Sequence, residues 1–329
     1  MLLSFVISSK NLFEKFEKTF LSIIEQKVKN FEIILVLDKN IAENVKNSFA
    51  KEIFWANNNI KLVLNSSSKG TAISYNAAIN LAEGKYVKFI NEGDVLSPNF
   101  TEEIEKMINL YQDDQIDIFE YTIKLNGVIT KNLISYLEEK KIYNLEVNKT
   151  PFAFINPNIH NKVFKAEILK IYKYLSKNFV HYGVLFIYKI LIQAKKYVYF
   201  SPQTEIESVF IEEYDYSVFE ITKQWPHIFN YYRKIGRYKE LKEALDYAYI
   251  KNILHIWIWL ISQYNNKLLM EKAIDFVNHK FEDKMPKFVK TNTIFKESKD
   301  TKFVKICKNY QKYIYDMQTN TKRIKWKKA

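Results

Sequence analysis

Four short apolar runs, Leu3–Ser8, Phe31–Leu37, Ile60–Leu64 and Tyr86–Ile90, alternate with helical stretches near the start of the chain. A strand with one face in water alternates polar and apolar residues, whereas a strand covered on both faces is apolar throughout. Phe31–Leu37 is of the second kind, rich in isoleucine and valine, and it stops at Asp38. Between the runs, Phe13–Gln26 places Phe16, Phe20, Ile23 and Ile24 on one side of a helix at i, i+4, i+7 and i+8. Ile41–Trp55 is helical in outline, and Thr71–Ala82 is a helix closed by Gly84. Buried strands joined by helices predict an α/β fold with a mostly parallel sheet flanked by helices.

Further along, Ile116–Tyr121 and Tyr197–Phe200 read as strands, and Lys165–Leu175 and Gly183–Lys195 as helices. Strand signals fade beyond about residue 215. Leu241, Ala244, Leu245 and Ala248 form one helical stripe, and Leu269, Ala273, Phe276 and Val277 another. Trp257 and Trp259, interleaved with Ile256 and Ile258, suit a buried or partner-facing helix better than a platform for stacking bases. The expected organisation is a domain over residues 1–215 and an all-helical region over 216–329.

With 47% hydrophobic residues, 6 Gly and 6 Pro, the chain is a folded protein and not a linker or a disordered tail. A lone cysteine, Cys307, excludes an internal disulfide and a cysteine-based zinc site, which points to a reducing cytoplasm. The most apolar run, Ile253–Ile261, contains His255 and is far shorter than the roughly 20 residues of a membrane span. The net charge of +13 is concentrated at the end, where residues 301–329 hold nine basic residues against Asp316 alone. Such a tail suits peripheral contact with an anionic membrane. A solvated tail and nonspecific contact with nucleic acid are the alternatives, and no motif for specific nucleic-acid recognition is present.

Residues 84–98 carry the strongest chemical signal. They run Gly84-Lys85-Tyr86-Val87-Lys88-Phe89-Ile90-Asn91-Glu92-Gly93-Asp94-Val95-Leu96-Ser97-Pro98: a glycine stop, a buried strand, an acidic turn and a proline. Open α/β sheets bind ligands beyond the carboxyl ends of their strands. An acidic turn there can bring a divalent cation and a phosphate ester together.

This stretch resembles the nucleotide-sugar and metal turn of family 2 glycosyltransferases, whose usual pattern is G-K-Y-φ-x-F-φ-D-x-D-D-φ-φ-x-P (φ apolar). Other stretches follow in that family's order. Ser4-Phe5-Val6-Ile7-Ser8-Ser9-Lys10-Asn11 is similar to S-φ-φ-I-P-x-Y-N, and Leu21-Ser22-Ile23-Ile24-Glu25-Gln26 to L-x-S-I-L-x-Q. Glu32-Ile33-Ile34-Leu35-Val36-Leu37-Asp38 follows E-I-I-φ-V-D-D, with Asp38 on the second aspartate. Lys69-Gly70 and Ser74-Tyr75-Asn76 stand at K-G and A-R-N, with Tyr75 in place of arginine. Ala82-Glu83-Gly84-Lys85-Tyr86 matches A-x-G-K-Y unchanged, and Asn161-Lys162-Val163-Phe164-Lys165 resembles the later N-K-L-φ-[KR] turn.

The resemblance implies a GT-A-type α/β domain. It also implies transfer of a sugar from a nucleoside diphosphate sugar, a UDP-sugar being favoured, to a glycan or lipid-linked acceptor with inversion. It places Ser8, Asn11, Asp38, Tyr75 and Asn91 at nucleotide-sugar contacts, and Glu92 and Asp94 at a Mg2+ or Mn2+ site. The main metal-binding aspartate of the pattern falls on Gly93. The E-D pair that supplies the catalytic base falls on Tyr182-Gly183, which leaves the adjacent His181 as the substitute base. For Asp94 the alternative is capping of the turn, and for His181 a capping or half-buried role. These departures carry a second reading: an inactive pseudo-glycosyltransferase that keeps the fold as a binding or assembly scaffold.

Overall fold

The structure, a computed structural model, describes residues 1–9, 14–38, 59–65, 71–125, 135–171, 183–202, 207–209, 216–262 and 266–323. The expected helix Ile41–Trp55 lies outside them. The chain divides into two compact units. The first comprises residues 1–130, 138–148 and 158–211, and the second residues 131–137, 149–157 and 212–329.

The first unit contains β1 (Leu3–Ser9), α1 (Glu14–Ile24), β2 (Phe31–Asp38), β3 (Ile60–Asn65), α2 (Thr71–Leu81) and β4 (Tyr86–Ile90). It continues with β5 (Val95–Leu96), α3 (Phe100–Leu110), β6 (Ile118–Tyr121), β7 (Lys124–Leu125) and β8 (Ile142–Asn144). Last come β9 (Lys162–Lys165), α4 (Ala166–Ile171), α5 (Val184–Leu191), β10 (Lys196–Phe200) and β11 (Glu207–Val209). Eight strands form one sheet in the order β3-β2-β1-β4-β9-β6-β10-β8, and β5-β11-β7 form a small second sheet. The run β3-β2-β1-β4 is parallel throughout, as the continuous apolar composition of β1 and β2 predicts. The sheet then becomes mixed: β9 is antiparallel to both β4 and β6, and β8 is antiparallel to β10. This is the expected α/β class with flanking helices, on a mixed sheet.

Two buried charge networks fix the strands. At the amino ends of β1, β2 and β4, the Ser4 hydroxyl donates to Glu32 Oε1 at 2.6 Å, and Gly84 N–H donates to Ser4 Oγ at 2.9 Å. Glu83 N–H donates to the same Glu32 oxygen at 2.6 Å, and Lys61 Nζ lies 2.7 Å from Glu32 Oε2. Burial pushes the Glu32 carboxyl up, but Lys61, Ser4 and the Glu83 N–H outweigh it and hold the group below its ordinary value. In the middle of the sheet, Lys162 on β9 pairs with Glu120 on β6 at 3.0 Å, both almost wholly excluded from water. Lys88 on β4 donates to the carbonyls of Phe89 at 2.8 Å and His160 at 2.5 Å.

The second unit is helical, with a short helix at Thr150–Phe154 and a 3-10 turn at Tyr216–Phe219. Its longer elements begin with α6 (Glu220–Lys234), α7 (Tyr238–Ile250), a π-helical segment (Lys251–Trp257) and α8 (Ile258–Ser262). They end with α9 (Lys267–Phe281), α10 (Met285–Thr291), α11 (Thr293–Lys296), α12 (Thr301–Lys308) and α13 (Tyr310–Arg323). Trp225, Trp257, Tyr232 and Tyr247 fill its core. Asn266, Asn292 and Asp300 cap α9, α11 and α12, accepting from Leu269, Phe295 and Phe303 N–H. Among the described residues, no helix is long and apolar enough to cross a membrane.

Within this unit Lys251 pairs with Asp300 at 2.9 Å in the interior. His255, from the π segment, stacks on Phe303 with centroids 6.1 Å apart, and neither ring nitrogen has a hydrogen-bond partner. Burial, reinforced by Lys251 and Lys302 and opposed by Asp300, holds the imidazole below its ordinary range, so His255 is neutral when folded. The unfolded chain takes up this proton below about pH 6.5, so the contribution of His255 to stability falls as the pH drops from there. His255→Phe should therefore lose less thermal stability than wild type between neutral and mildly acidic pH. Melting curves at the two pH values check this, and equal losses would contradict it.

Candidate functional site

The carboxyl ends of β1, β2 and β4 lie side by side. The register pairs Ser8 and Ser9 of β1 with Val36 and Leu37 of β2, and Ile7 with Ile90 of β4. Ser8, half-buried, and Asp38, the last residue of β2, therefore share one edge with the turn Asn91–Asp94. Asp38 is also opposite Asn65 of β3, whose side-chain amide donates to Ser74 Oγ of α2 at 3.0 Å.

The turn has a definite internal structure. Asn91 N–H donates to Asp94 Oδ2 at 3.0 Å, and Asp94 N–H returns to the Asn91 carbonyl at 3.2 Å. Asp94 is fully buried, so its carboxylate holds the turn from inside. Gly93 adopts φ +94°, a left-handed conformation that a residue with a Cβ enters only under strain. The missing aspartate and the backbone shape therefore go together at this position. Glu92 is half-buried and accepts the Ser9 hydroxyl, which joins the turn to the end of β1. Tyr75 is buried with its ring 4.7 Å from that of Phe89, and its hydroxyl reaches Asn91 Oδ1 at 3.5 Å. Tyr75 thus lies beneath the turn as packing.

Helix α1 braces this turn from behind. Thr19 Oγ1 accepts Gly93 N–H at 2.9 Å, and Ser22 Oγ accepts Leu96 N–H at 3.2 Å. The buried Gln26 side chain donates to the Ser97 carbonyl at 2.6 Å and accepts Thr101 N–H at 2.9 Å. Sequence matching marked Ser22 and Gln26 as part of a pattern but gave them no task, and it passed over Ser9 and Thr19. For Thr19 and Ser22, polar side chains on an otherwise apolar face of α1 were the available signal. Asp94→Ala would leave Asn91 N–H without its carboxylate and open a void beneath the turn. We expect a loss of about 1–3 kcal/mol in urea unfolding; a change within experimental error would remove Asp94 from the turn's support.

Of the expected site residues, Ser8, Asp38, Asn91 and Glu92 gather on this edge, while Tyr75 and Asp94 lie under it. Asn11 and His181 lie outside the described residues, as does the side chain of Asp38. Gly183 begins helix α5, whose Phe186 packs against Phe89 and Phe164 at 6.2 and 5.9 Å.

The donor set also indicates what kind of metal site is possible. Among the described residues there is no group of three or more His, Cys, Asp or Glu that could hold a metal. Glu92 is the half-exposed carboxylate of the turn, Asp94 faces inward and Gly93 offers nothing. Mg2+ commonly binds one or two carboxylates together with substrate phosphates. Among the described residues the turn offers one partly exposed carboxylate, which suits a cation carried on a diphosphate.

Comparison with known proteins bears on the family and the fold. The model of glycosyl transferase family 2 matches residues 4–172, about half the chain. An uncharacterised glycosyltransferase of Methanocaldococcus jannaschii is 31% identical over 179 residues, which is 54% of this chain; the match spans 60% of that relative's length. Among solved structures, Staphylococcus aureus TarS 1-349 in complex with UDP-GlcNAc superimposes with a TM-score of 0.62 at 14% identity, covering 95% of this chain and 92% of that one. A mannosyltransferase from Pyrobaculum calidifontis in complex with GDP-Man and Mn2+ gives 0.52 at 12% identity, covering 97% and 86%. At such identities the structural likeness shows the fold, a GT-A-like α/β core with a helical C-terminal region.

Proposed function

The chain belongs to glycosyl transferase family 2, and on that premise we propose that it is a hexosyltransferase acting on a nucleoside diphosphate sugar. The observation that carries the reading is the shared edge of β1, β2 and β4, where Ser8, Asp38 and the braced turn Asn91–Asp94 meet. Ligands of open α/β sheets bind at such an edge. Asp38 suits the uracil imide or a ribose hydroxyl through a charge-assisted hydrogen bond, and Ser8, Asn11 and Asn91 supply neutral contacts. A UDP-sugar is the favoured donor, and a glycan or lipid-linked molecule the acceptor.

In this reading the acceptor hydroxyl attacks the anomeric carbon from the face opposite the leaving group. The bond from that carbon to the β-phosphate oxygen breaks, the configuration inverts and the nucleoside diphosphate departs. His181 takes the acceptor proton as general base. Glu92 would hold a Mg2+ or Mn2+ ion, which would supply Lewis-acid neutralisation of the leaving diphosphate. Asp94 keeps Glu92 and Asn91 in place. We assign residues 1–215 to the nucleotide-sugar domain and 216–329 to a region that, with its basic end, meets the cytoplasmic face of a membrane.

The second reading, an inactive scaffold, is favoured by the φ +94° of Gly93 and the inward Asp94, which leave one partly open carboxylate at the turn. Release of nucleoside diphosphate from a panel of UDP- and GDP-hexoses, with and without Mn2+, separates the two. The transferase reading expects turnover with at least one donor, and a fall of about 100-fold in kcat for His181→Ala. Donor binding without turnover by any acceptor would favour the scaffold.

A further inference from the structure

Residues 284–312 hold nine lysines, two acidic residues, Glu297 and Asp300, and no arginine. All nine lysines are exposed, whereas Asp300 is buried and paired with Lys251. The stretch folds as α10, α11, α12 and the start of α13, so the charge sits on ordered helices ahead of the basic tail. In α12, Lys302, Lys305 and Lys308 cover an arc of about 120°, and the buried Phe303 and Cys307 lie opposite its centre. In α10, Lys287 and Lys290 likewise stand opposite the buried Met285 and Phe288.

The buried sides of these helices meet on one row of rings. Phe288 and Phe295 are 4.9 Å apart, Phe295 and Phe303 6.2 Å, and Phe303 and Tyr247 5.2 Å. The lysines of α10 and α12 thus stand on the solvent sides of helices whose buried faces share this row. Among the described residues, Lys287, Lys290, Lys305 and Lys308 form no salt bridge that would neutralise this side.

The geometry points to a docking surface for an anionic lipid bilayer, formed by the lysines of α10 and α12. Ammonium groups are compact point charges suited to a diffuse anionic surface, while the bidentate recognition typical of specific phosphate or base contacts uses arginine, which is absent. Within residues 284–312 no aromatic ring is offered for stacking of bases: Phe288, Phe295, Phe303 and Tyr310 are all at most 7% exposed. The surface carries its charge whether or not the transferase reading of the first unit holds.

Co-sedimentation of the full chain with phosphatidylcholine vesicles, with or without phosphatidylglycerol, tests the proposal. Wild type should bind the anionic vesicles, release them as salt rises, and ignore neutral ones. Each basic residue near such a surface contributes about five-fold in affinity. The variant K287Q/K290Q/K302Q/K305Q/K308Q should therefore bind at least about 100-fold more weakly, with an unchanged melting curve because these side chains are exposed. A second variant, with Lys322, Arg323, Lys325, Lys327 and Lys328 changed to glutamine, should lose less binding than the first, the tail adding to a surface that α10 and α12 supply. Loss of binding in the tail variant alone, equal binding to neutral vesicles, or binding of duplex DNA in place of anionic vesicles would each overturn the assignment.

Discussion

Replacing Glu120 by leucine, or Lys162 by methionine, is expected to lower the unfolding free energy by about 3–5 kcal/mol. Lys162 and Glu120 lie 3.0 Å apart, 0% and 1% exposed, on neighbouring strands near the centre of the sheet. Lys162 also donates to the Asn158 carbonyl at 2.6 Å and to Asn161 Oδ1 at 2.8 Å, so its charge is well solvated by the protein. Removing one partner strands the other charge in the interior, which is far costlier than removing both. The double variant should accordingly be more stable than either single one. Urea unfolding of the three variants measures this, and single losses below about 1 kcal/mol would contradict it.

A pH signature accompanies the pair. Burial, helped by Lys88 and opposed by Glu120, pushes Lys162 down to about 8. Because the unfolded chain holds this proton up to a higher pH, the contribution of Lys162 rises between about pH 8 and 10. Lys162→Met should lose that component.

Gly84→Ala is the second large effect. A Cβ at Gly84 would stand 2.6 Å from Ser4 Oγ and 2.7 Å from the Leu3 carbonyl carbon and the Ser4 nitrogen. Overpacking usually costs about 1–3 kcal/mol, and backbone atoms yield less than side chains. We therefore expect about 3 kcal/mol, measured by urea unfolding. Ser4→Ala should not rescue it, because two of the three close atoms belong to the backbone; rescue would show that the hydroxyl was the whole obstacle. The glycine of A-x-G-K-Y is thus explained by the approach of β1 to the turn before β4, with Glu32 accepting the N–H groups released there.

Strands β1, β2 and β4 were legible because they are buried on both faces and say so in composition. The edge strand β3 was legible from its apolar residues, although Leu62 and Leu64 are exposed. Phe31–Leu37 became Phe31–Asp38, Ile60–Leu64 became Ile60–Asn65, and Tyr86–Ile90 stood unchanged. Strand β9 was not legible. Lys162–Lys165 reads as a turn because it begins and ends in lysine, and what buries Lys162 is Glu120, a partner distant in sequence. Strands β5, β7 and β11, of two or three residues, are too short for any period to register. Nor does composition reveal that residues 135–137 and 149–157 belong to the helical unit. At the site, the position of Asn91–Asp94 after an apolar strand was readable. The support from Thr19, Ser22 and Gln26 was not, because those side chains acquire their partners only once α1 packs behind the turn.

Calorimetric titration of UDP and UDP-sugars into the full chain, with and without Mn2+, tests the central claim most directly. The account predicts saturable binding that Mn2+ strengthens, that Asp38→Ala weakens with or without metal, and that in Glu92→Ala no longer responds to metal. Absence of heat with every nucleotide and nucleotide sugar, in a protein that melts cooperatively, would contradict a nucleotide-sugar site at the ends of β1, β2 and β4.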